Sequence, residues 1–201
     1  MTALRVVNPD NAILPVLLVD PTKRIVKRVL GTDFFFSPKP LILSVAHVLG
    51  VKPGPDEAIA VPKREPPDPA PGVVVPQPTM AAVLNVRVDP QHDLAVADVP
   101  GVTHFEHFPV CRQDPPTLTN VMTVDLASRT TFEPVEGGGP GPTVTRYDWK
   151  GYVHAVLITK EPTMRARAKI LEVSIPVIEG MSGAPYHLAA SPFPSAPRRS
   201  T

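Results

Sequence analysis

Twenty-eight of the 201 residues are proline, and they are scattered from end to end. Each one removes a backbone N–H and clashes with the carbonyl four residues back, so a chain punctuated this often cannot carry a long helix. With 43 % hydrophobic residues it nevertheless has the material for a core of one ordinary domain or two small packed ones. Short strands are the elements left. Runs rich in β-branched and apolar residues, bounded by turn residues, predict strands over Leu14–Val19, Arg24–Leu30, Asp33–Ser37, Leu41–Val45 and Ala58–Val61. Further runs lie at Ala82–Val88, Leu94–Val99, Val121–Ala127, Gly151–Thr159 and Ile170–Val177. No segment has helical periodicity, so the pattern is that of an all-β sandwich or pair of barrels.

Two stretches read as irregular. Pro62 to Pro78 is a proline-dense surface insertion between two strands, and Glu133 to Thr143 is a flexible loop by its glycines. Cys111 to Asn120 lies near the midpoint and is the expected crossing between two halves.

Charge excludes some functions. Lys and Arg number 20 against 19 Asp and Glu, a net charge of +1, which supplies no field for nucleic acid or an acidic membrane. No stretch approaches the roughly 18 unbroken apolar residues of a membrane span, and Asn8 to Asn11 interrupt any signal-like N-terminus. The single cysteine, Cys111, cannot form an intramolecular disulfide, which together with the missing signal points to the cytoplasm. It is read as buried structure.

Three pieces carry chemistry. "GTDFFFSPKPLILSVAHVLG" runs through an apolar strand into His47; "HDLAVADV" opens an apolar strand at Asp93; "GMSGAP" surrounds Ser182. A serine hydroxyl is a weak nucleophile until a positioned imidazole takes its proton, and the imidazole needs a carboxylate to fix its tautomer. Asp98, at the far end of the same strand as Asp93, is a rival for that role, and His92 is a loop neighbour. His104 and His107 lie three apart, but zinc needs further ligands and the neighbourhood offers none, so they belong to a polar loop. No metal or other cofactor is expected.

In order, spacing and local sequence these pieces resemble the trypsin-like (chymotrypsin-fold) serine peptidases. The resemblance, carried by "LILSVAHVL", "DLAV" and "GMSGAP", spans roughly Leu14 to Leu188. It implies an all-β fold of two antiparallel six-stranded Greek-key barrels. Residues 1–111 would form the first barrel with His47 and Asp93, 112–120 the connection, 121–188 a second barrel with Ser182, and 189–201 a disordered tail. It further implies Ser182 as nucleophile, His47 as base and then acid, and Asp93 as buried orienter. The amides of Gly180 and Ser182 would make the oxyanion hole, and Pro176 would floor an uncharged specificity pocket.

Two departures bear on activity. Met181 stands where secreted digestive members carry an aspartate that pairs with a freed N-terminal amine, so that activation switch cannot operate. Family members also continue for two more strands, whereas Ala189 to Thr201 is too rich in proline to supply a central one. The second barrel is therefore expected to be incomplete, with open strand edges for a partner chain to complete. The leading expectation is a serine endopeptidase acting on a protein or peptide, with activity impaired by the short C-terminus. The alternative is a non-catalytic chain of the same fold serving as a binding or regulatory module.

Overall fold

The computed structural model describes residues 7–63, 79–110, 114–126, 131–134, 140–143, 147–159, 168–175 and 181–188. Its organising element is β1 (Ile13–Asp20), where every residue is buried. Full burial on both faces follows from the sequence "ILPVLLVD", which is apolar on successive positions instead of alternating ones. A one-turn helix, α1 (Pro9–Ala12), leads into it, capped by the Asn8 side chain, which accepts from the Asp10 N–H.

β1 pairs antiparallel with β2 (Ile25–Phe35), and β2 with β3 (Leu41–Ser44). After β3 comes one helical turn, α2 (Ala46–Leu49), then β4 (Ala58–Pro62), β5 (Met80–Ala82), β6 (Leu84–Asp89) and β7 (Leu94–Asp98). The sheet order is β5-β4-β1-β2-β3-β7-β6. Its two edges, β5 and β6, are consecutive in the chain and separated only by Val83. One bent segment can serve both edges only if the sheet curls round on itself, so this sheet is a closed six-segment barrel. Its interior is filled by residues such as Leu14, Val16, Phe35, Ile42, Val61 and Ala97.

Two expected strands, Arg24–Leu30 and Asp33–Ser37, are one element. Gly31 and Thr32 stay in the ladder opposite Val16 and Pro15, and β-bulges absorb the bend at Val16/Leu17 and Leu18/Val19. Conversely, the strand expected over Ala82–Val88 is split at Val83, whose N–H donates to the Ile59 carbonyl.

The second sheet has the order β12-β11-β8-β13 among the described residues, formed by β8 (Asn120–Asp125), β11 (Tyr147–Thr159), β12 (Ala168–Val173) and β13 (His187–Leu188). All its pairings are antiparallel. Val121, Val153, Ile175 and Met181 form its buried cluster. The glycine-rich stretch Glu133 to Thr143 is not wholly loop. Part of it pairs, β9 (Thr131–Pro134) against β10 (Pro140–Thr143), and a two-stranded ladder tolerates the prolines because each strand keeps an outer edge. The two sheets meet where Ala12 and Ile13 pack on Val124 and Leu126, with Phe34 and Phe108 alongside.

The architecture is thus all-β, as the resemblance implies. Among the described residues no helix is long and apolar enough to cross a membrane. Cys111, residues 64–78 of the proline-dense insertion and the 189–201 tail lie outside the described residues.

Candidate active site

His47 stands on α2, a single helical turn held down by Val48 and Leu49, both buried in the barrel core. That anchoring leaves its ring outside, 59 % exposed. Asp93 sits immediately before β7 with φ of +52°, a left-handed backbone that aspartate tolerates better than most residues. This corner aims three acceptors at the start of α2. Asp93 Oδ2 lies 2.8 Å from His47 Nδ1, Oδ1 accepts the His47 backbone N–H at 3.1 Å, and the Asp93 carbonyl accepts the Ala46 N–H at 3.1 Å. A carboxylate partner requires a proton on Nδ1, so the neutral imidazole presents its lone pair at Nε2. Asp93 itself is 44 % exposed, not buried, because it occupies the rim where the chain turns into β7.

The rival carboxylate is elsewhere. Asp98 ends β7 and accepts from Asn85 Nδ2 at 2.8 Å. His92 pairs with Asp89, Nδ1 to Oδ2 at 2.8 Å, and this contact is the largest cause holding the Asp89 carboxyl below its usual range. No group of metal-ligating side chains occurs among the described residues. The loop with His104 and His107 is less polar than its sequence suggests. Phe105 lies against Phe35 at 4.4 Å between ring centroids, and Asn8 N–H donates to Glu106 Oε2 at 3.0 Å.

Ser182 lies on a tight turn between the two sheets. The Ala184 N–H donates to the Met181 carbonyl at 2.9 Å, and Gly183 takes φ of +87°, the left-handed third position of a type II turn. Met181, 6 % exposed, anchors one side of the turn in the second sheet's core. On the other side the Thr32 N–H of β2 donates to the Ser182 carbonyl at 3.0 Å. Gly31 makes this approach possible: a Cβ there would lie 2.7 Å from Val48 Cγ2 and 2.8 Å from the Ser182 carbonyl oxygen. The Ser182 backbone therefore packs against the strand that also supports the residue following His47. Gly180 and Pro176 lie outside the described residues.

Sequence reasoning missed the residues that seat this turn. Gly31 read as a strand break when it marks a close approach of two backbones, the other common meaning of a strand glycine. Asp33 read as an ordinary strand residue. It is fully buried beside Ser44, and Asp33 Oδ1, Asp33 Oδ2 and Ser44 Oγ find no hydrogen-bond partner among the described residues. A charged residue inside an otherwise apolar strand run was the available signal.

No protein-family model matches the chain, and no curated protein matches it. Solved structures do. The chain is similar to the Rv3671c protease from M. tuberculosis in its active form, with 16 % identity and a TM-score of 0.56 over 88 % of this chain and 64 % of that one. It is similar to Deg5 with 14 % identity and a TM-score of 0.56, over 89 % and 74 % of the two chains. An HtrA-type protease, AlgW, with a tripeptide gives 14 % identity and a TM-score of 0.55 over 89 % of this chain and 47 % of that one. The chain thus spans less than two thirds of the Rv3671c protease and about half of the AlgW protease. At these identities the likeness establishes the fold, and the fold is that of the trypsin-like serine proteases.

Proposed function

We propose that the chain is a trypsin-like serine endopeptidase in which Ser182 is the nucleophile, His47 the general base and acid, and Asp93 the orienting carboxylate. The observation that carries this reading is the His47–Asp93 pair, fixed by a 2.8 Å side-chain contact and two backbone hydrogen bonds. It lies on the same barrel as the strand that receives the Ser182 turn.

In this mechanism His47 Nε2 takes the Ser182 hydroxyl proton as Oγ attacks the scissile carbonyl, and Asp93 stabilises the imidazolium that results. The carbonyl oxygen becomes an oxyanion, for which the amides of Gly180 and Ser182 are the proposed donors. His47 then protonates the departing amine, leaving an acyl group on Ser182. Water, deprotonated by the same imidazole, releases the acid. Nothing in the exchange needs a cofactor. Met181 bears on the site's assembly: its burial holds the turn by packing, the role that an ion pair fills in the digestive members. Pro176, proposed as the floor of the side-chain pocket, carries no charge and gives no preference for basic residues.

Cleavage of a mixed library of unblocked peptides by the purified full chain tests the proposal. Hydrolysis by the wild type that drops about 10⁴-fold or more in His47→Ala supports it. Hydrolysis that the variant retains, or its absence in folded wild type, refutes it.

A further inference from the structure

The turn that carries Ser182 rests on a buried carboxyl that the proposed mechanism does not use. Asp33 follows Thr32 on β2, the residue whose N–H holds the Ser182 carbonyl, and its relative exposure is 0 %. A Cβ built on Gly183 would lie 2.6 Å from Ser44 Oγ and 3.3 Å from Asp33 Oδ1, and would collide with the Thr32 carbonyl oxygen. The Asp33 and Ser44 side chains are therefore the surface against which Gly183 sits, and only glycine fits there. Native structures rarely leave three buried polar oxygens without a hydrogen bond at one place, as these are among the described residues.

The described elements around Asp33 bring little charge to it. Leu14 of β1 stands opposite it in the ladder. β3 presents Ser44, and the nearest titratable residue along that segment is His47 on α2. The Ser182–Gly183 turn carries no charge, and β10, which contacts β2, has the sequence Pro-Gly-Pro-Thr. Among the described residues no charged group acts on the carboxyl. Burial is the largest cause and pushes its pKa well above the usual range. An isolated carboxylate here would be costly, so the group remains the uncharged acid.

We propose that Asp33 is a positioning residue for Ser182: its uncharged carboxyl, with the Ser44 hydroxyl, seats Gly183, and its ionisation displaces the Ser182–Gly183 turn. The proposal rests on Ser182 being the nucleophile. It gives the reaction an alkaline limit: the rate falls as charge appears beneath the turn. Asparagine has the shape of the neutral acid and cannot ionise.

The test follows two readouts against pH in the full chain, the rate of fluorophosphonate labelling and the backbone amide resonance of Gly183. It compares the wild type with Asp33→Asn and Asp33→Leu. Wild-type labelling falls about tenfold per pH unit beyond the ionisation of Asp33, and the Gly183 resonance moves with the same midpoint. Asp33→Asn labels within about twofold of the wild-type neutral-pH rate, loses the alkaline fall and leaves the resonance still. Asp33→Leu, which removes the polar seat, labels at least about tenfold more slowly at neutral pH with an unchanged circular dichroism spectrum. An alkaline fall that persists in Asp33→Asn overturns the proposal, as does a Gly183 resonance that is independent of pH in the wild type. If wild type is unlabelled at every pH, the nucleophile assignment fails and the resonance alone decides whether Asp33 controls the turn.

Discussion

Asp93 does its work through an unusual backbone. A left-handed φ costs most side chains about 1–2 kcal/mol, and here it is what lets one residue give both its carboxylate oxygens and its carbonyl to the start of α2. The side chain is shared between fixing a backbone and fixing a tautomer. Asp93→Asn keeps the shape but can offer His47 Nδ1 an amide donor, which favours the tautomer with the proton on Nε2. Peptide hydrolysis should fall by about 10⁴-fold with little change in melting temperature, measured as kcat and by thermal unfolding. Unaltered kcat would remove Asp93 from the mechanism. The three candidate residues stand out in the sequence because each lies in a short local context: an apolar strand ending at His47, an aspartate opening another, and a glycine-flanked serine. Asp33 was not legible as a support, since its burial arises only when a turn distant in sequence folds over β2.

Among the elements, the β1–β2 connection has its own electrostatics. Asp20 ends β1 and its carboxylate gathers the Thr22 hydroxyl at 2.6 Å and the Thr22 and Lys23 N–H groups, each at 3.1 Å. The Thr22 hydroxyl, then the Lys23 amide, hold its pKa down to about 2. A carboxylate depressed in the folded state stabilises above its unfolded pKa of about 3.9, and that contribution is lost as pH falls toward 2. Thermal unfolding should show Asp20→Asn less stable than wild type at pH 6, with the two curves converging as pH falls to about 2. A constant gap across that range would assign the loss to packing. Strand positions were broadly readable from β-branched runs, but their continuity was not. Gly31 in β2 and the prolines within β9 and β10 look like breaks locally, and the ladders keep them because a bulge, a close backbone approach or a free edge accommodates each.

Across the whole molecule, the proposed site lies where two sheets converge. His47 and Asp93 come from the closed first barrel, whose closure by the bent segment Met80–Asp89 no local pattern announces. Ser182 comes from a turn anchored through Met181 in the second sheet and tied through its carbonyl to β2. The all-β architecture could be read from proline spacing and strand runs, whereas the contact of Ile13 with Val124 and Leu126 that joins the sheets depends on tertiary packing. On the proposed reading, this convergence makes Ser182 a nucleophile. Treating the folded full chain with a fluorophosphonate probe and locating the adduct by peptide mass spectrometry tests it most directly. A single adduct is expected on Ser182, absent in Ser182→Ala and formed far more slowly in His47→Ala. Folded protein that stays unlabelled, or labelling that survives Ser182→Ala, would contradict it.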